Sequence, residues 1–333
     1  MALIDQLQAL PAQWEAMLRN WFMPLKEEAR ILLTRAKEPV SSAYRLGEEL
    51  LAEREFEEAK IRFKFVLWRQ PSHAMALYKM AVCHFGLSKK YEGLQALNKS
   101  LAFDPKNEMA LYLKATYEGG QYADGYAPHT TPIPFILSKF SKRAATYSLE
   151  ELEKEYEGDA ELYEQIVDLN ITPEVILELG CGTGLCGGLL STLTSKLVGL
   201  DICPEMIEQA KETESKSYAD FIEADMRDHL LQQSVPAYDL IVAANVMPIT
   251  GGLAAVMDGA AKALKPGGYF IFTAFALKAT EGYRYISDIQ RFAHSSHYLK
   301  TQAERTKLNA ISLREVTLYE DDPRPSYMVV LQK

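Results

Sequence analysis

From Glu178 to Asp201 the chain reads Glu178-Leu-Gly180-Cys181-Gly182-Thr-Gly184, an apolar-periodic stretch to Leu193, and Lys196–Leu200 ending on Asp201. Glycines at this spacing let a backbone turn sharply and approach a ligand closely, which a Cβ would block. An acid at the tip of the following strand can accept both hydroxyls of a ribose. The chemistry implied is the holding of a nucleoside cofactor by strand, glycine loop, helix, strand and acid. A second acid, Asp225, ends the stretch Ala219–Asp225, and Asn245 ends the apolar run that begins at Tyr238. One acid at a strand end serves as readily to cap a helix. Two of them after a glycine loop favour a cofactor site.

A second group of reactive side chains lies between Lys278 and Lys300: Tyr283-Arg284-Tyr285, then Arg291-Phe-Ala-His294-Ser-Ser-His297-Tyr298. His294 titrates near neutrality and is the candidate general base. Arg291 and Arg284 can hold an acidic acceptor in a forked pair, and Tyr283 completes the candidate catalytic set with His294 and Arg291. The plainer alternative is a helix capped by Ser295 and packed over a sheet. His294 and His297 lack a third ligand at suitable spacing, so no metal is assigned. Cys83, Cys181, Cys186 and Cys203 form no C-x-x-C pair, which suits reduced thiols in the cytoplasm.

These residues need a frame of parallel strands. Val175–Leu179, Lys196–Leu200, Ala219–Asp225, Tyr238–Ala244 and Tyr269–Phe275 read as five strands, the last after a Lys265–Gly268 turn. Ser312–Tyr319 and Tyr327–Gln332 read as an antiparallel closing pair. An acidic helix is expected over Leu149–Leu169, and another from Pro204 in its first turn.

The N-terminal part is helical throughout. Trp14, Met17, Leu18, Trp21 and Phe22 recur at helical spacing, and Pro24 opens a further helix. Pro71 and Pro105 stand 34 residues apart, the tetratricopeptide period. Leu46, Gly47, Ala59 and Phe63 fill one unit of that pattern; Leu77, Met80, Ala81 and Leu97 fill a looser second. The region resembles two tetratricopeptide repeats (40–107) with flanking helices, within a helical domain 1–118. Such repeats leave a concave face for a substrate or partner, or serve a purely structural role. A linker over 119–139, turn-rich to residue 135, leads to a second domain, 140–333.

The glycine loop is G-x-G-x-G, with Leu185 where a dinucleotide fold places a third glycine. This disfavours a nicotinamide-dependent oxidoreductase. Together with Asp201-Ile202-Cys-Pro-Glu-Met206, Asp225-Met226 and Lys265-Pro-Gly-Gly268, it resembles the class I S-adenosylmethionine (SAM) methyltransferases. The resemblance implies an α/β Rossmann-like, seven-stranded methyltransferase sheet with its last strand antiparallel, preceded by the all-α repeat domain. It implies SAM as cofactor, held by Tyr147, Glu178, Gly180, Cys181, Gly182, Gly184, Asp201, Ile202, Met206, Asp225, Met226 and Asn245. Asp225 would accept from the adenine amine and Met226 supply a backbone donor. Arg291-Phe-Ala-His294-Ser with Tyr298-Leu resembles a bacterial subgroup of predicted methyltransferases that also carry these repeats. Asn245-Val-Met-Pro248 departs from the N-P-P-Y tetrapeptide of enzymes acting on base or glutamine amide nitrogens. Lys142-Arg-Ala-Ala-Thr-Tyr147 suggests malonyl-carrier-protein carboxyl methylation as an alternative; a non-catalytic adaptor is another.

Charge narrows the partners. The chain of 333 residues carries a net charge of −9. Residues 1–140 hold 18 of the 36 basic and 16 of the 45 acidic residues, leaving 18 and 29 for the remainder. All the excess acid lies there, so a nucleic-acid substrate is disfavoured. No run is long and apolar enough to span a bilayer, and no leader is evident at Met1–Gln13. The acceptor expected is a protein or small molecule, the repeat groove offering a place to engage a protein.

Overall fold

In the computed structural model the described residues are 39–118, 130–148, 156–214, 216–278, 280, 282–287, 289–319 and 324–333. The expected helices over 1–38, the linker residues 119–129 and the start of the acidic helix, 149–155, lie outside them. The chain divides into two compact units, Met1–Ala110 and Leu111–Lys333.

In the first unit, helices α1 (Val40–Ala52) and α2 (Phe56–Arg69) pack as a hairpin, as do α3 (Ala74–Gly86) and α4 (Lys90–Phe103). Every bound of the second hairpin lies 34 residues beyond its counterpart. So do the left-handed turn residues, Arg54 (φ 65°) and Ser88 (φ 60°). Small residues let each pair close up. A Cβ on Gly47 would fall 2.9 Å from the Phe63 ring, and one on Gly93 would fall 2.5 Å from Phe85. Ala59, Phe63, Ala81 and Leu97 are fully buried between the helices. Helix α5 (Glu108–Glu118) begins at the end of this unit and runs into the second.

The second unit is built on a twisted mixed sheet. Helices α6 (Ile133–Phe140) and α7 (Gly158–Asp168) precede strand β1 (Val175–Leu179). The alternation of the remaining elements is β2 (Lys196–Asp201), β3 (Asp220–Glu223), β4 (Tyr238–Ala243), β5 (Leu264–Ala276), the hairpin β6 (Tyr283–Ile286) and β7 (Arg291–His294), then β8 (Asn309–Val316) and β9 (Ser326–Gln332). Between them stand α8 (Gly187–Leu190), α9 (Pro204–Thr213), α10 (Met226–Gln232), α11 (Ala254–Ala263) and α12 (Ser296–Arg305). Strands β3-β2-β1-β4-β5 run parallel, β9 pairs antiparallel with β5, and β8 antiparallel with β9. These seven are the sheet expected from sequence. Apolar strand residues alternate between its two covered faces, as buried parallel strands require. Leu177, Leu200, Ile241 and Phe272 meet Met257, Leu299 and Ala303 on one side. Ile176, Val242, Ile271 and Val330 meet Leu162 and Ile166 on the other.

Four local expectations need correction. The insertion after β5 is a strand hairpin: β7 adds parallel to the last residues of β5, with Phe275 opposite Ala293 and Ala276 opposite His294, and β6 pairs antiparallel with it. The helix capped by Ser295 also forms, with Ser295 Oγ accepting from Tyr298 N at 3.1 Å. Residues 133–139 of the linker lie in α6, because Pro134 suits a first helical turn. The stretch Leu185–Leu193 keeps only α8 as helix: Gly187 is needed where a Cβ would fall 2.4 Å from the Tyr218 ring, and glycine weakens a helix. Lys265–Gly268 bulges within β5, with Gly267 at φ 80°.

Candidate cofactor site

Open α/β sheets bind ligands at the carboxyl ends of the strands, where the strand order reverses. Here that point lies between β1 and β4. After β1 the chain turns through Gly180, Gly182 and Gly184, at φ 64°, 55° and 87°. A Cβ on Gly180 would lie 2.5 Å from Val246 Cγ2, so packing alone demands glycine there. On Gly182 it would meet nothing within 4 Å, leaving that side open. Asp201 fastens this loop to the end of β2: its Oδ2 accepts from Gly182 N at 2.9 Å and its Oδ1 from Cys203 N at 2.8 Å. Burial raises the Asp201 pKa, although the backbone donors Cys203, Gly182 and Ile202 oppose the rise.

The loop floors a cleft with about 1020 Å³ of empty space, open solvent at its mouth included. Of the residues expected around the cofactor, Tyr147, Glu178, Gly180, Cys181, Gly182, Asp201, Ile202, Met206, Asp225, Met226 and Asn245 line it. Gly184 does not; a Cβ there would face Glu214 at 3.1 Å. Sequence reasoning missed Ile136 from α6 and Tyr156, Asp159 and Arg227 on its wall. None of these sits in a motif; Arg227 alone could have been flagged, as the neighbour of Asp225-Met226.

The lining is acidic. Glu178 is buried on β1, accepting from Tyr218 Oη at 2.6 Å. Burial pushes its carboxyl up to about 8; the Tyr218 hydrogen bond opposes this, and the charges of Asp159 and Asp201 add to it. Asp225 caps α10 and forks Arg227, with Oδ1 accepting from Nε at 3.0 Å and Oδ2 from Nη2 at 2.7 Å. Burial alone would raise its pKa, but the Arg227 hydrogen bonds and charge hold it below the ordinary value. Asn245 is held in a left-handed turn at φ 53°, its N donating to Thr273 Oγ1 at 2.8 Å and its Nδ2 to Tyr319 Oη at 2.6 Å. Its Oδ1 is buried with no partner, and so is the Tyr156 hydroxyl.

The three residues singled out for catalysis are not brought together at this cleft. His294 ends β7 fully buried. Its Nε2 donates to the carbonyls of Thr250 (2.9 Å) and Gly251 (3.1 Å), leaving Nδ1 buried without a partner. Burial drives its pKa down to about 4, against those two hydrogen bonds. Tyr283 lies against Gly251, where a Cβ would fall 2.3 Å from its ring, and packs against Phe292, His294 and Tyr298. The cause is the hairpin: pairing with β5 turns His294 into the protein and seats Tyr283 on the backbone instead of at the cleft rim. Arg291 lines a neighbouring chamber.

Residues 172–314 match the family described as "Methyltransferase domain". The chain is 30% identical over 149 residues to the malonyl-[acyl-carrier protein] O-methyltransferase of Brevibacillus brevis, covering 42% of this chain and 52% of the relative. It is 27% identical over 100 residues to the ubiquinone biosynthesis O-methyltransferase of Vibrio atlanticus, covering 29% and 42%. The chain thus spans about half the length of the curated relatives it matches. A solved structure, the N-methyltransferase NodS of Bradyrhizobium japonicum with S-adenosyl-L-homocysteine, shows 18% identity and a TM-score of 0.47, covering 59% of this chain and 97% of that one. The second unit has the fold of the class I SAM-dependent methyltransferases. SAM is its cofactor.

The residues of the methyltransferase unit fit that group. SAM carries a sulfonium, an ammonium and a carboxylate, one net positive charge, and four acidic side chains line the cleft against one arginine already engaged by Asp225. The open side of Gly182 leaves room for close approach, and Asn245 Oδ1 and Tyr156 Oη are polar atoms still lacking partners. When bound, SAM supplies an electrophilic methyl group. What the chain itself does is hold, orient and neutralise: in-line transfer depends on alignment, worth roughly 7–11 kcal/mol.

Proposed function

We propose that the whole chain is an enzyme that transfers a methyl group from SAM to an acceptor, with the helical unit engaging substrate or partner. The observation that carries this reading is the cleft itself, where Gly182, Asp201, Asp225 and Asn245 converge from the ends of successive strands. In it Asp201, whose Oδ2 accepts from Gly182 N and Oδ1 from Cys203 N, keeps lone pairs for ribose hydroxyls. Asp225 Oδ2 takes a single donor from Arg227 and is the oxygen left for the adenine amine. The 34-residue recurrence of helix bounds and turn residues supports the tetratricopeptide reading of residues 40–107. The four buried free cysteines are consistent with a cytoplasmic setting, and among the described residues no helix is long and apolar enough to cross a membrane.

A second reading is carboxyl O-methylation of a malonyl-carrier-protein type. The Brevibacillus relative bears that name, the Vibrio one is also an O-methyltransferase, and Tyr147 of the Lys142–Tyr147 segment lines the cleft. Titration of the full chain with SAM, followed by labelled-methyl transfer into a lysate fractionated into protein, nucleic acid and small molecules, tests both. SAM binding with label in protein or small molecules supports the proposal. Absence of SAM binding sinks it, and binding without transfer to any fraction leaves the non-catalytic adaptor as the better account.

A further inference from the structure

Beside the cofactor cleft the methyltransferase unit holds a second chamber, with about 900 Å³ of empty space including open solvent. Its walls come from three places distant in sequence: Tyr112 and Thr116 on α5, Phe135 and Lys139 on α6, and Arg291 at the start of β7. The chamber exists because the β6–β7 hairpin packs on α5: Tyr285 Oη lies 2.9 Å from Thr116 Oγ1, and the Tyr285 and Tyr112 ring centroids are 5.3 Å apart. Ile136, Phe140 and Ile249 line both the chamber and the cofactor cleft. These three residues are therefore a wall that the two spaces share.

Their chemistries are opposite. The cofactor cleft is lined by Asp159, Glu178, Asp201 and Asp225, whereas among the described residues no carboxylate lines the chamber and two cations do, Lys139 and Arg291. Arg291 is the informative one. Its Nη1 donates to the Gln290 carbonyl at 3.3 Å, and its guanidinium carbon sits 5.9 Å from the Phe140 ring centroid. Among the described residues it has no carboxylate partner, in contrast to Arg227, Arg305 and Arg314, each paired with an acid. A half-buried guanidinium presents a planar fork that matches a carboxylate with two parallel hydrogen bonds. Aromatic rings beside it suit a flat or compact apolar body.

We propose that this chamber binds the methyl acceptor, and that the acceptor is a small carboxylic acid with an aromatic or short aliphatic body whose carboxylate is forked on Arg291. This rests on the methyltransferase reading of the neighbouring cleft. The division of charge gives it direction. The acidic cleft repels the anion and attracts the cationic cofactor, while the basic chamber does the reverse, so each ligand is steered to its own side of the Phe140 wall.

The test is calorimetric titration of the full chain with benzoate, phenylacetate and hexanoate and with their uncharged primary amides, alongside a SAM titration. The expected result is that at least one acid binds and its amide binds at least tenfold more weakly. Arg291→Gln should weaken the acid at least tenfold, Arg291→Lys should recover part of it, and SAM affinity should stay unchanged in both. Equal affinity for acid and amide, unaltered acid binding by Arg291→Gln, or no acid binding at millimolar concentration overturns the proposal. The acid–amide comparison needs no variant and so stands even if a substitution unfolds the hairpin. Acid binding by a wild-type chain that fails to bind SAM sinks the methyltransferase reading and with it the acceptor role, leaving the chamber an acid-binding site only.

Discussion

Replacing Glu178 by glutamine should make the ligand-free methyltransferase unit more stable as pH rises. Glu178 is 3% exposed, in a strand, with its one strong partner the Tyr218 hydroxyl at 2.6 Å. Its carboxyl is pushed from 4.5 up to about 8, chiefly by burial. Because the folded pKa lies above the unfolded one, the stability linked to this group is fully present below pH 4.5 and is lost as pH rises towards 8. At about 1.36 kcal/mol per pH unit, the loss between pH 5 and pH 8 comes to roughly 3–4 kcal/mol. For a unit of this size that corresponds to on the order of 10 °C in melting temperature. Glutamine keeps an acceptor for Tyr218 but cannot ionise. The wild-type and Glu178→Gln melting curves should therefore diverge steadily from pH 5 to pH 8, the variant melting higher. Cationic SAM should reverse the penalty by favouring the ionised carboxylate, so binding at pH 7 should release a proton into the buffer. Calorimetry in two buffers of different ionisation enthalpy measures that proton directly. Parallel melting curves, or binding enthalpies that do not depend on the buffer, would refute the reasoning.

Three further outcomes follow from the same geometry. Asp201→Ala removes the acceptor of Gly182 N and Cys203 N, and charge-assisted hydrogen bonds are worth roughly 1.5–3 kcal/mol each; SAM affinity should fall at least tenfold, and an unchanged titration contradicts the assignment. Gly180→Ala and Gly182→Ala both strain a left-handed backbone, but only at Gly180 does the new methyl meet a neighbour, Val246, at 2.5 Å. The first should lower the melting temperature more, the second the SAM affinity more, and the reverse ranking would mean the loop faces elsewhere. Gly93→Val pushes on Phe85 across the α3–α4 hairpin at a cost of roughly 1–3 kcal/mol; hydrogen exchange in those two helices should accelerate, and unchanged protection would show that their close approach is dispensable.

The cofactor cleft was legible because its residues are local signals at strand ends. Glycines that must turn, an acid at the tip of β2 and another after β3 stand in sequence where the fold presents them. The same logic explains why Tyr156 and Asp159 were not legible. They reach the cleft from the stretch that enters α7, beside a lone bridge between Tyr156 and Tyr319, and nothing in their own neighbourhood encodes that pairing. The hairpin failed for a different reason. Each of its strands is four residues long, too short for a period-2 pattern to declare itself. A general base at His294 requires a ring within reach of the acceptor, whereas strand pairing with β5 points it inward. In the repeats, by contrast, the period itself was the signal, and the helix bounds recur with it.

The buried position of His294 bears on how an acceptor is activated. Among the described residues no histidine lines the cofactor cleft, and the one expected there donates Nε2 to two carbonyls with a pKa lowered to about 4. Asp201 and Asp225 are occupied by loop and arginine donors, and Glu178 holds its own proton at neutral pH. A nucleophile that arrives already ionised needs none of them. With an oxyanion acceptor, the carbon–oxygen bond forms as the carbon–sulfur bond breaks, sulfur keeps the electron pair, and no proton moves. The rate should then follow the acceptor's own pKa: electron-withdrawing substituents that acidify the acceptor should shift the pH profile by the same amount. His294→Gln should leave that profile in place and lower the melting temperature, because it disturbs the tie between β7 and the Thr250–Gly251 carbonyls. A profile fixed near neutrality for every acceptor, abolished by His294→Gln with the fold intact and a 10²–10⁴-fold rate loss of the size expected for general-base catalysis, would restore His294 as the base.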